Sequence, residues 1–188
     1  MVSITSLWLP ILLSAVGTFV ISSVIHMVFQ SHNSDFKKLA EEDKFSDAVR
    51  PFNIEPGDYM FPHCSDNKSR GSEEYATKLN NGPVGFMTIF PNGAFSMGKS
   101  LLLWFVYSLV IGAMVAMVAS VTIPAGSSFG LVAKVTGVMA FMAYGIGGVQ
   151  NSIWYNRNWA TTVKYLIDSA FYAACAGALF AWLWPNGI

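Results

Sequence analysis

The sequence predicts an all-α membrane protein in which four transmembrane helices carry one polar insertion, a small extramembrane cap of mixed structure between helices 1 and 2. Between Lys99 and Lys134 the chain runs for 34 residues without a charged side chain. Leu101–Ile123 fills most of this interval, and a helix needs roughly 20 apolar residues to cross the hydrocarbon core of a bilayer. A helix that is apolar on every face over such a length is typical of a membrane span.

The distribution of charge supports the same fold class. Only 12% of the residues are charged, against roughly 25% in soluble domains, and 53% are hydrophobic. Of the 22 charged residues (11 Lys and Arg, 11 Asp and Glu), 18 lie between Asp35 and Lys99. The formal net charge is zero, so no nucleic-acid partner is predicted.

Four segments are predicted to span the bilayer, and together they form a single membrane domain over residues 1–188. The predicted spans are Leu7–Phe29, Leu101–Ile123, Leu131–Gln150 and Tyr165–Trp184. Small residues recur at helical spacing in the fourth span, with Ala170, Ala174 and Ala178 on one row and Ala173, Gly177 and Ala181 on the next. Such rows let helices approach closely in lipid. They predict a closed four-helix bundle, with a dimer face on the fourth span as the alternative.

The insertion, residues 31–100, is too polar to enter lipid. Its pattern predicts a helix over Ser34–Ala48 and a second helix through Leu79 that Ser72 caps. Val84–Phe90 is predicted to be a strand, with Tyr59–Phe61 as its partner.

The loop charges predict the orientation. With four spans, both termini lie on one side and the insertion on the other. The insertion side holds more basic residues near span ends, namely Lys37, Lys38, Lys99, Arg157 and Lys164, against Lys134 on the side of the termini. The positive-inside rule therefore places the insertion in the cytoplasm and both termini across the membrane.

Asp168 is the only carboxylate in a predicted span, which makes it a candidate ligand or proton-relay group. Lys164 lies one turn earlier, so an ion pair near a helix N-terminus is the structural alternative. His26, Gln150 and Asn151 are expected on the same side of the membrane. A hydrogen bond between His26 and Asp168 is the corresponding functional hypothesis.

Three histidines and one cysteine raise the question of a metal site. His26, His32, His63 and Cys64 have the side chains that zinc and copper prefer. On one continuous helix, however, His26 and His32 would lie about 120° apart, and His63-Cys64 is a bare dipeptide. Neither a metal nor haem ligation by His26 is therefore expected, and no cofactor is predicted.

The chain contains no Walker loop, GxSxG, HExxH or CxxC motif, and no catalytic residue is assigned. We expect a non-enzymatic protein, an accessory or scaffold subunit of a membrane assembly. Its partners would be the lipid bilayer and either other membrane subunits or further copies of this chain. A proton-coupled carrier that uses Asp168 and His26, and a metal- or haem-dependent membrane enzyme, are the alternatives.

Several stretches of the chain together carry a resemblance to a known family: SSVIHMVFQSHNSDF, IEPGDYMFPHC, GPVGFMTIFPNG with MGKSLLLWF, and NSIWYNRNWATTVKYLIDSAFYA ending in GALFAWLWP. Over nearly its whole length the chain resembles a family of small bacterial four-span integral membrane proteins described only as hypothetical. The resemblance implies a location in the bacterial inner membrane, and it implies no mechanism.

Overall fold

The computed structural model describes residues 2–94 and 96–186. The chain forms two compact units, one made of Met1–Phe36 with Ser96–Ile188 and the other of Lys37–Phe95. The first unit holds the apolar helices, and the second holds most of the polar insertion.

Four helices in the described residues are long and apolar enough to cross a membrane, which confirms the predicted fold class. These spans are Ile4–Phe29, Met97–Thr122, Phe129–Trp154 and Trp159–Trp182. The fourth span begins at Trp159 rather than at Tyr165, because the Asn158 side chain accepts a hydrogen bond from the Ala160 N–H and caps the helix there. Asp168 consequently lies more than two turns inside the helix.

The first and third spans are not uniform α-helices. In the first span the α-helix Trp8–Ser23 follows a 3-10 turn, Ile4–Leu7, and continues into a π-helical segment, Val24–Phe29. In the third span the α-helix Phe129–Tyr144 is followed by a 3-10 turn, Ile146–Val149, and a short helix, Gln150–Trp154.

The four spans close into a ring. The first span packs against the second and the fourth, and the third span also packs against both of these. The third and fourth spans are in close contact at Gly177, where an added Cβ atom would lie 2.6 Å from the Ala133 carbonyl oxygen and 3.1 Å from the Gly137 Cα atom. The predicted row Ala173, Gly177 and Ala181 is thus a packing face of the bundle.

Aromatic side chains fill the bundle interior between the second, third and fourth spans. The Trp104 ring lies 5.8 Å from Tyr172 and 6.0 Å from Tyr144, centroid to centroid. The indole N–H of Trp104 donates to Ser22 Oγ of the first span at 2.9 Å. This bond satisfies a polar group that would otherwise be costly at this depth.

The second unit has the mixed structure that was predicted, with one difference. Its helices are Glu42–Val49, Asn67–Arg70 and Glu73–Asn81, and Gly57–Phe61 pairs antiparallel with Gly85–Ile89. The Ser72 hydroxyl accepts from the Tyr75 N–H, as expected for the cap. The prediction of helix over Ser34–Ala48 is wrong in its first half, because residues 31–36 form turns that are tied to the fourth span.

Candidate metal centre

The candidate site forms where the chain leaves the first span. Gln30 ends the helix with a left-handed backbone (φ 50°), and the chain then turns back on itself. The Asn33 N–H donates to the Gln30 carbonyl and the Asp35 N–H to the His32 carbonyl. This reversal brings residues 31–35 against the start of the fourth span.

His32 is held between two carboxylates. Its Nδ1 is hydrogen-bonded to Asp35 Oδ2 and its Nε2 to Asp168 Oδ2, each at 2.6 Å. The side chains of His32 and Asp168 are 12% and 7% exposed. Two such bonds need two protons, so either the ring is an imidazolium or one carboxyl group carries a proton. A metal ion in place of the proton on Nε2 would satisfy the same pair of atoms.

Lys164 fixes the position of the Asp35 carboxylate, which is hydrogen-bonded to Nδ1 of His32. Its ammonium group donates to Asp35 Oδ1 at 2.8 Å, to the Ser31 carbonyl at 2.7 Å and to Ser34 Oγ at 2.9 Å. Burial by itself would raise the pKa of Asp35, but the hydrogen bonds from Lys164 and His32 lower that pKa below its ordinary value. Asp35 is therefore an ionised group with a fixed position behind His32.

His26 faces the same site. Its ring centroid lies 4.7 Å from that of His32, and one ligand atom each from His26, His32 and Asp168 all lie within 4.8 Å of one another. Within the described part of the chain, neither ring nitrogen of His26 has a protein hydrogen-bond partner. Imidazole nitrogens and carboxylate oxygens are both ordinary ligands of zinc and related ions, so these three groups could hold a metal ion.

Aromatic stacking closes one side of the site. The Tyr165 ring lies 4.7 Å from the His32 ring, and the Arg157 guanidinium carbon lies 5.4 Å from the centre of the Tyr165 ring. The stack restricts rotation of His32 and places a further cation near the cluster.

The structure corrects three expectations about these residues. Lys164 pairs with Asp35 rather than with Asp168, and the histidine hydrogen-bonded to Asp168 is His32 rather than His26. The expectation that His26 and His32 do not share a site is also wrong. It assumed one continuous helix, whereas the helix ends before His32.

The other predicted site residues, Gln150, Asn151, His63 and Cys64, are not among the three grouped ligands. Gln150 is exposed, and Asn151 uses its backbone carbonyl to accept from the N–H groups of Tyr155 and Arg157. Among the described residues, neither side chain hydrogen-bonds to the cluster. In the second unit, Cys64 Sγ donates to the Asp66 carbonyl, and the hypothesis of a metal bound by His63 and Cys64 stays a prediction.

Two members of the cluster, Asp35 and Lys164, were not predicted as site residues. The signal that could have found Asp35 is the spacing His32-x-x-Asp35, which suits a carboxylate contact across one turn. The sequence does not show that the turn folds back onto the fourth span.

The chain matches no protein-family model, no curated protein and no solved structure. Membership of the family that the sequence resembles therefore stays a prediction.

Proposed function

We propose that this chain is a metal-dependent integral membrane protein that binds one divalent transition-metal ion between His26, His32 and Asp168. The observation that carries the proposal is the convergence of these three side chains within 4.8 Å at the end of a membrane span. Two donor atoms at about 2 Å from a tetrahedral ion lie roughly 3.3 Å apart, so small side-chain rotations would complete the site.

Each residue has a definable role in this proposal. His32 would bind through Nε2, because Asp35 accepts a hydrogen bond from Nδ1 and fixes the tautomer. Lys164 holds Asp35, Asp168 supplies the anionic ligand, and His26 supplies the exposed third ligand. When bound with three protein ligands, such an ion offers an open position that activates water or polarises a bound oxygen.

Metal binding by the purified full-length protein in mild detergent tests the proposal. Stripped protein should take up about one Co²⁺ or Zn²⁺ per chain, measured by metal analysis and by the visible spectrum of the cobalt form. His26→Ala and Asp168→Asn should each lower the affinity by about tenfold to a hundredfold or more, since each removes one of three ligands.

His63→Ala is the matched control, because it also removes one histidine but is not one of the three proposed ligands. It should bind cobalt as the unmodified protein does. Loss of cobalt binding in His63→Ala with retention in His26→Ala would place the ion elsewhere and refute the proposed site. If no ion binds, and Asp168→Asn abolishes a pH-driven flux into proteoliposomes, the carrier hypothesis would be favoured instead.

A second candidate function is an accessory or scaffold role in a membrane assembly. Ala170, Ala174 and Ala178 are exposed on the fourth span and line a shallow cavity of about 470 Å³ beside Gly137 of the third span. In lipid, exposed small residues favour the docking of another helix, from a second copy or from a different subunit. Ala174→Leu should shrink the detergent-solubilised particle, whereas Ala113→Leu, on an exposed face of the second span, should not.

For the location we propose the bacterial inner membrane, with the insertion in the cytoplasm and both termini in the periplasm. The support is the excess of basic residues at the span ends on the insertion side. The proposed metal centre would then lie on the cytoplasmic side of the bundle, between the end of the first span and the first three turns of the fourth.

A further inference from the structure

A groove runs along the outside of the bundle between the first and fourth spans. Its volume is about 490 Å³, which falls within the usual size of small-molecule sites. Seven of its lining residues are apolar and belong to the two spans: Val20, Ile21, Val24, Ile25, Phe29, Ile167 and Phe171. This part of the groove therefore faces the hydrocarbon of the bilayer rather than water.

The polar residues of the groove lie together at one end. Ser31, Lys164 and Asp168 also line it, and they are the residues that surround the proposed metal centre. Val20 and Phe171 lie further along their spans, away from the membrane edge. A molecule in the groove would thus place a polar group at the site and an apolar chain along the helices.

The net charge of the site indicates which kind of headgroup a ligand in the groove would carry. Asp35 and Asp168 contribute two negative charges, Lys164 one positive charge and a divalent ion two, so the site carries about one net positive charge when both imidazoles are neutral. Arg157 adds another cation nearby, through its contact with Tyr165. A single negative charge on the ligand would complement this site, whereas a neutral or cationic headgroup would not.

We propose that the groove binds the anion of a long-chain fatty acid, with the chain along the two spans and the carboxylate at the open position of the metal ion. A carboxylate oxygen is an ordinary ligand for zinc and related ions. The modest volume fits one acyl chain. This inference rests on the proposed function, because the metal ion supplies the net positive charge.

The test uses the cobalt-loaded full-length protein in lipid nanodiscs, titrated with oleate. Oleate should change the visible cobalt spectrum in a saturable way, because it would add a ligand to the ion. Oleyl alcohol, which has the same chain without the anion, should not change the spectrum. Acetate at the same concentration should not change it either, because it has the anion without the chain.

A matched pair of substitutions tests the groove itself. Val20→Trp should fill the groove and weaken the oleate response by about tenfold, because the indole ring would occupy the space of the acyl chain and remove its packing contacts with the two spans. Val16→Trp is the control, since Val16 lies exposed on the same helix but does not line the groove. Neither residue contacts the cluster, so both variants should bind cobalt normally.

The outcomes separate the two proposals. Failure of cobalt to bind would overturn the metal centre and this inference together. If cobalt binds but oleate leaves its spectrum unchanged, or if acetate changes the spectrum as much as oleate does, the fatty-acid site is refuted. Neither result would refute the metal centre. An oleate response in Val20→Trp equal to that in Val16→Trp would likewise exclude the groove.

Discussion

Adding one methyl group at Gly177 should separate the third and fourth spans. A Cβ atom there would lie 2.6 Å from the Ala133 carbonyl oxygen and 3.2 Å from the Gly137 backbone nitrogen. The obstructing atoms are backbone, so no side-chain rotation relieves the overlap. An ordinary contact begins near 3.5 Å, so the helices must move apart by about 0.9 Å. Such overpacking typically costs about 1–3 kcal/mol, and we expect Gly177→Ala to lose stability in this range.

Gly130→Ala is the matched control because it adds the same methyl group in the third span, where the new Cβ atom would meet no atom within 4 Å beyond its chain neighbours and the local helix backbone. Both variants replace glycine by alanine within a helix, so their difference mainly reflects the packing cost at Gly177. Unfolding in mixed detergent, followed by tryptophan fluorescence, measures this difference. Gly177→Leu, which is larger, should lose still more stability. Equal unfolding midpoints for Gly177→Ala and Gly130→Ala would show that the spans do not pack through this row.

Other predictions follow from the bundle and its orientation. Ser22→Ala leaves the Trp104 N–H without its acceptor and should cost about 1–3 kcal/mol in the same unfolding assay. Ser23→Ala, which removes only a bond to a carbonyl on its own helix, should cost less, and the reverse order would contradict the assignment of the Trp104 bond. A cysteine placed in residues 65–71 should be labelled from the cytoplasm, whereas a reporter fused after Ile188, which lies outside the described residues, should be periplasmic. The opposite pattern would refute the charge argument but not the four spans.

The membrane fold could be predicted because it depends on features that are local in the chain. Residues 101–123 are apolar on every face, and no water-soluble arrangement of such a helix is favourable. The row of small residues through Gly177 could also be predicted as a packing face, because helical periodicity alone places these residues together. The cap on the helix Glu73–Asn81 follows in the same way from Ser72 and its position in the sequence.

The composition of the candidate site was decided by tertiary structure. Periodicity treats residues 26 and 32 as parts of one helix, and on a helix their rings would diverge. The left-handed turn at Gln30 reverses the chain instead, and Lys164 holds the reversed segment against the fourth span. The contacts of His32 with Asp168 and of Lys164 with Asp35 join residues more than a hundred positions apart. The sequence by itself determined that the spans carry few ionisable groups. Only the folded chain decided which of those groups are in contact, because helix packing and chain reversal bring together residues that are distant in sequence.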